Sequence, residues 1–130
     1  MAKATGTFVI DSWEETPFDE REGAKLTRTR IAKTFEGGVE GRSSGEFVMA
    51  MAGEGSAAYV GIERIVGAVD GRTGSFVLQH SATMTGGDQA ATLLVVPHSG
   101  TGELQGLTGQ AQVDVDSDGG HKFTLDYELE

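Results

Sequence analysis

The chain has 130 residues, 20 of them acidic and 10 basic, for a formal net charge of −10. That length fits one domain with a core of its own. The charge disfavours nucleic acid and anionic membrane surfaces as partners, and the absence of cysteine removes disulfides, thiolate chemistry and cysteine-based zinc sites. With 20 glycines, 2 prolines and short segments of valine, threonine and phenylalanine, the composition predicts an all-β domain over residues 1–130 rather than disorder or a helical bundle.

The N-terminus, Met1-Ala2-Lys3-Ala4-Thr5-Gly6-Thr7, has no apolar run and no basic stretch beyond Lys3, so no secretory leader is expected. The longest apolar runs, Ala90–Pro97 and Ala57–Ile62, fall short of the ~20 residues a membrane helix needs. A soluble cytoplasmic protein is the expectation. Glycine interrupts nearly every window before a helical period can establish itself. Eight strands are predicted, over 4–11, 25–36, 39–52, 57–69, 72–85, 88–97, 107–116 and 121–129.

Between the first two strands, Ser12–Ala24 sets Trp13, Pro17 and Phe18 among Glu14, Glu15, Asp19, Glu20 and Glu22. It reads as an acidic loop over one end of the domain, either a solvated connection or a lid. Gly37-Gly38, Asp70-Gly71 and Gly86-Gly87 have the chemistry of two-residue type I′ turns. Gly53-Glu54-Gly55-Ser56 and Asp118-Gly119-Gly120 read as slightly longer turns. Short links make sequence neighbours antiparallel partners, and an eight-stranded meander removes its exposed edges by closing into a barrel. A two-sheet sandwich is the alternative.

Tight turns fix register, and register fixes which side chains share a face. An Asp70-Gly71 turn pairs Val69 with Arg72, Ile65 with Phe76, Glu63 with Leu78 and Gly61 with His80. A Gly86-Gly87 turn then sets His80 against Leu93. Tyr59, Gly61, Glu63, Ile65, Phe76, Leu78 and His80 thus share one face, where small residues oppose large ones as a curved interior requires. The opposite face carries Val60, Ile62, Val66 and Val77, an apolar patch that a homo-oligomeric interface would cover. If Ala52 pairs with Ala57, Glu46 faces Glu63, and Phe47, Met49 and Met51 point outward.

Glu63 and His80, with Glu46 in that register, form the strongest polar cluster. It reads either as the polar end of a greasy pocket or as a satisfied buried ion pair that fixes register. Phe76, Leu78, Leu93, Tyr59 and Tyr127 are candidate lining residues, and a small hydrophobic molecule is the expected partner. The histidines His80, His98 and His121 lack metal-ligand spacing, and Glu46, Glu63 and His80 offer only a remote facial-triad option, so neither a metal nor any other cofactor is expected. Ser99-Gly100-Thr101-Gly102 lacks the lysine and following helix of a phosphate loop. Asp114–Gly119 lacks the distal glutamate of a calcium loop and reads as a strand end entering a turn. Arg28 and Arg30 alternate with Thr27 and Thr29 and are expected at the rim or an interface.

The run from Val96 to Gly109, with Gly100-Thr101-Gly102-Glu103-Leu104-Gln105-Gly106 at its centre, resembles the glycine-threonine turn of allene oxide cyclase and dirigent-type barrels. Ala4-Thr5-Gly6-Thr7-Phe8, Gly61-Ile62-Glu63-Arg64, Gly74-Ser75-Phe76-Val77-Leu78-Gln79-His80 and the final Asp126-Tyr127-Glu128-Leu129 are similar to a bacterial family of unknown function with that fold. The resemblance implies an eight-stranded antiparallel barrel that is oligomeric, and it implies no activity. Three functions follow as expectations. The first is binding of a small apolar ligand in the interior. The second is an isomerase or cyclase using Glu63 or His80 as proton carrier. The third is a non-enzymatic assembly role for the outer apolar face.

Overall fold

The computed structural model describes residues 1–130. Eight antiparallel strands close a barrel in sequence order: β1 Ala2–Arg21, β2 Ala24–Gly37, β3 Val39–Ala52, β4 Ser56–Val69, β5 Arg72–Thr85, β6 Asp88–Val95, β7 Thr108–Val115 and β8 His121–Glu128. The expected meander barrel is therefore the fold, and the sandwich alternative falls away. No helix is long and apolar enough to cross a membrane.

The two tight turns behave as their chemistry dictates. Asp70 and Gly71 have φ of 47° and 83°, Gly86 and Gly87 of 59° and 90°, the left-handed pairs a type I′ turn needs. The registers they impose are those read from the sequence: Glu63 opposite Leu78, Gly61 opposite His80, and His80 opposite Leu93. The reversal at Gly37-Gly38 is wider. Phe35 pairs with Gly41, one residue beyond the register a two-residue turn would impose.

Two further expectations are corrected. The Ser12–Ala24 segment is not a loop, because β1 continues as strand to Arg21 and pairs with β2 down to Arg21–Ala24. Register shifts at Ile10/Ser12 and Pro17/Asp19 keep this long strand bent along its partner. Beyond Phe8 it has no second neighbour, since its pairing with β8 ends at Phe8–His121. Proline and carboxylates on this free edge block further pairing, which is why an exposed strand carries a loop-like composition. The second correction concerns β3. Ala52 pairs with Ser56, not Ala57, so Glu46 faces Ile62 rather than Glu63. A one-residue slip exchanges the faces of a strand. Phe47 therefore points inward and is buried, and Met49 faces the interior with it.

The interior is filled at one end only. Phe35, Val39, Ile65, Val69, Phe76, Leu78, Phe123, Leu125 and Tyr127 pack a continuous core there. The connection after β6 seals that end. Its Ser99 and Thr101 hydroxyls accept the Val77 and Ser75 amides at 3.1 and 3.0 Å, and Leu104 and Leu107 plug the core beneath. The serine, threonine and glycines that superficially resemble a phosphate loop thus clip this segment to β5. Asp116 likewise accepts the Asp118 and Gly120 amides at 3.0 and 2.8 Å, an ordinary turn.

At the other end the strands are unequal. β2 to β5 each run for 14 residues, whereas β6, β7 and β8 have 8. β6 and β7 join through only two residue pairs, Leu93–Ala111 and Leu94–Gln110. The half of the barrel beyond these pairs is where space remains.

Candidate functional site

Inward positions of β2, β3, β4 and β5 meet at mid-height of the barrel. Ser43, on β3, is flanked by Lys33 on β2 and Ile65 on β4, and Glu63 lies one inward position along β4. Gly61 and Glu63 face His80 and Leu78 across the β4–β5 hairpin. Four polar side chains converge as a result. His80 Nε2 lies 2.8 Å from Glu63 Oε1. Ser43 donates its hydroxyl to Glu63 Oε2 at 2.6 Å. Lys33 Nζ sits 3.3 Å from Oε1 and 3.2 Å from Oε2. It also stands 4.7 Å from the centroid of the Phe8 ring, a cation–π contact. Glu63 is 1 % exposed and His80 4 %.

A carboxylate removed from water is disfavoured as an anion. Burial pushes the Glu63 carboxyl up, but the His80 hydrogen bond, the Lys33 charge and the Ser43 hydroxyl outweigh it and hold the group at about 2. Glu63 is thus an anion with both oxygens occupied. No buried side-chain nitrogen or oxygen in the molecule lacks a partner. The same anion, after burial, helps push the Tyr59 hydroxyl up.

This cluster floors a cavity of about 760 Å³ in the unfilled half of the barrel. Its lining combines apolar side chains, Ile31, Phe47, Met49, Leu93 and Val113 among them, with polar ones such as Lys33, Gln89, Gln112 and His121, and Trp13, the only tryptophan in the chain, stands at the mouth. The Phe47 ring packs edge-on against Tyr59 and His80, with centroids 5.8 and 5.0 Å away. It lies over Gly61, where any Cβ would collide with the ring. Opposite, Phe8 stacks on His121 at 4.6 Å.

Of the residues singled out from the sequence, His80, Tyr59 and Leu93 line this cavity, with Glu63 buried against His80 beneath it. Phe76 and Leu78 lie in the solid core at the closed end, buried with Ile65 and Val95. Tyr127 is at the closed end too, donating its hydroxyl to Asp70 at 2.6 Å, an anionic partner that pushes its own proton affinity up. Glu46 is outside the barrel, 3.5 Å from Arg30, with both side chains more than half exposed. The Glu46–Glu63–His80 triad therefore does not exist, and the chain has no group of three or more metal-ligating side chains. Lys33 and Ser43 are the site residues that sequence reasoning missed. The signal was the alternation Thr29, Ile31, Lys33, Phe35 on β2, which places a lysine in an inward-facing row.

A neutralised floor under apolar walls can bind and orient a small molecule, and the one imidazole at its base can exchange a hydrogen bond with it. No curated protein matches the chain. A crystal structure of a protein of unknown function from Shewanella oneidensis MR-1, in the DUF3224 family, is 43% identical to it. The likeness covers 100% of this chain and 98% of that one with a TM-score of 0.86. The family model "Protein of unknown function (DUF3224)" matches residues 4–127, and the chain belongs to that family.

Proposed function

We propose that the protein binds a small apolar molecule in the open half of its barrel, with the Lys33–Glu63–His80 cluster as the polar end of the site. The observation that carries this reading is the uneven filling of the interior. One half is packed solid, while the other keeps about 760 Å³ in which most lining residues are hydrophobic. Cavities of this size and lining are typical of small-molecule sites.

The test uses N-phenyl-1-naphthylamine, a neutral apolar dye that fluoresces on leaving water. Saturable enhancement is expected, with energy transfer from Trp13 at the mouth. Trp13→Phe should abolish the transfer and keep the enhancement. A dye that stays dark at high protein concentration would overturn the proposal.

Proton-transfer chemistry in the same cavity is the second reading, favoured by the placement of His80 against the cavity. Both Glu63 oxygens are occupied, so His80 rather than Glu63 is the group able to carry a proton.

We also propose that a second copy of the chain covers the outer face of β3 and β4. Val48, Val60, Ile62 and Val66 are 45–57% exposed there on neighbouring strands. The Arg30–Glu46 pair stands beside Ile62 as a charged border. Val48, Val60 and Ile62 form an apolar patch that Arg64 separates from Val66, and an apolar patch with a polar rim is the anatomy of an interface.

A further inference from the structure

The floor of the cavity has one polar atom without a partner. His80 Nε2 is engaged with Glu63, and Nδ1 makes no hydrogen bond to the protein. Because no buried polar atom of the molecule is orphaned, Nδ1 is not sealed in the wall but opens to the cavity that its ring lines. The residue is nonetheless 4 % exposed, so water reaches this nitrogen only through the cavity.

The identity of the proton on each nitrogen follows from the partner. An ionised carboxylate only accepts, so Nε2 carries the hydrogen in its bond to Glu63. In the neutral imidazole the other nitrogen then holds a lone pair. The ring cannot easily turn to exchange the two, because it is held by the 2.8 Å bond to Glu63 and by the edge of Phe47 at 5.0 Å. The neighbouring cation does not compete for a ligand's charge either. Lys33 spans both Glu63 oxygens and lies over Phe8. Lysine and glutamate cancel, so with the imidazole in its neutral form the floor presents a fixed acceptor with no net charge.

We infer that the ligand is a neutral apolar molecule bearing a single hydroxyl or N–H donor, such as a phenol, with that donor bonded to His80 Nδ1. The inference rests on the binding reading above and adds the chemical class. A carboxylate-bearing ligand such as a fatty acid is disfavoured, because its oxygens would meet the lone pair on Nδ1 close to the Glu63 anion. Of the other polar groups of the cavity, Gln89, Gln112 and Asp114 lie toward the mouth, whereas Tyr59 stands one inward position from Gly61, the partner of His80, and packs on the same Phe47 ring.

Three ligands of one shape separate the possibilities: 2-naphthol, 2-methoxynaphthalene and 2-naphthoate, each titrated into the intact protein by calorimetry at pH 8. The naphthol is expected to bind about fivefold or more tighter than the methyl ether, the worth of one hydrogen bond, and the naphthoate weakest. His80→Phe, checked for folding by circular dichroism, should erase the difference between naphthol and ether. In the wild-type protein, the Nδ1 resonance in nitrogen-15 spectra should move on adding naphthol and stay still on adding the ether. Equal binding of naphthol and ether with a motionless Nδ1 overturns the donor assignment and leaves the apolar site intact. Tightest binding by naphthoate overturns it in favour of a cationic floor. Binding by none of the three overturns the apolar site itself.

Discussion

Glu63 is the residue on which the interior depends. It neutralises Lys33, fixes the tautomer of His80 and uses the Ser43 hydroxyl. Removing one member of a buried ion pair strands the other, so Glu63→Gln should destabilise the protein by about 3–5 kcal/mol in urea unfolding. Adding Lys33→Met to that variant should recover part of the loss, since the stranded charge is gone. The pH dependence has a definite sign. The carboxyl is held at about 2 in the folded protein, below its ordinary 4.5. A depressed folded value adds stability above the unfolded one, and that stability drains away as pH falls from about 4.5 toward 2. Urea midpoints measured across this window should fall more steeply for the wild type than for Glu63→Gln. Equal slopes would mean that Glu63 is not ionised against its partners.

Among the elements, the β4–β5–β6 unit was legible because both of its turns have glycine where the backbone goes left-handed. From those turns came the apposition of Glu63, Gly61, His80 and Leu93, which is half of the site. The other half was hidden by a single residue. The Gly53-Glu54-Gly55 reversal leaves three residues in the loop, not four, and that slip turned Glu46 out and Phe47 in. Lys33 and Ser43 belong to β2 and β3, beyond the same uncertain reversal and the widened one at Gly37-Gly38. The strand nature of Ser12–Arg21 was masked because a free edge favours the proline and carboxylates that elsewhere mark loops. The pairing of small with large across β3 and β4 gives a test at this scale. Gly61→Ala places a methyl group against the Phe47 ring. It should cost roughly 1–3 kcal/mol of stability, the usual penalty for overpacking. It should also weaken naphthylamine binding, because the displaced ring moves into the cavity. Unchanged thermal midpoint and unchanged dye affinity would show that the ring is not held as described.

For the molecule as a whole, closure leaves two surfaces to which roles are proposed above, the cavity and the apolar outer face of β3 and β4. The charge of −10 keeps copies apart except where that face offers contact. Wild-type protein should therefore scatter light as an oligomer. Val60→Lys combined with Ile62→Lys should yield a monomer of unchanged circular dichroism that still takes up the dye. An unaltered mass for the double variant would place self-association elsewhere or nowhere.

The two residue pairs between β6 and β7 set the mechanics of this cylinder. Every other pair of neighbouring strands shares at least seven residue pairs, so the seam at Leu93 and Leu94 is the least paired line in the circumference. Parting it breaks few backbone bonds, and what else holds it is the packing of Leu93 and Ala111 against the core. For the ligand proposed above, this seam is a second route into the chamber besides the mouth at Trp13.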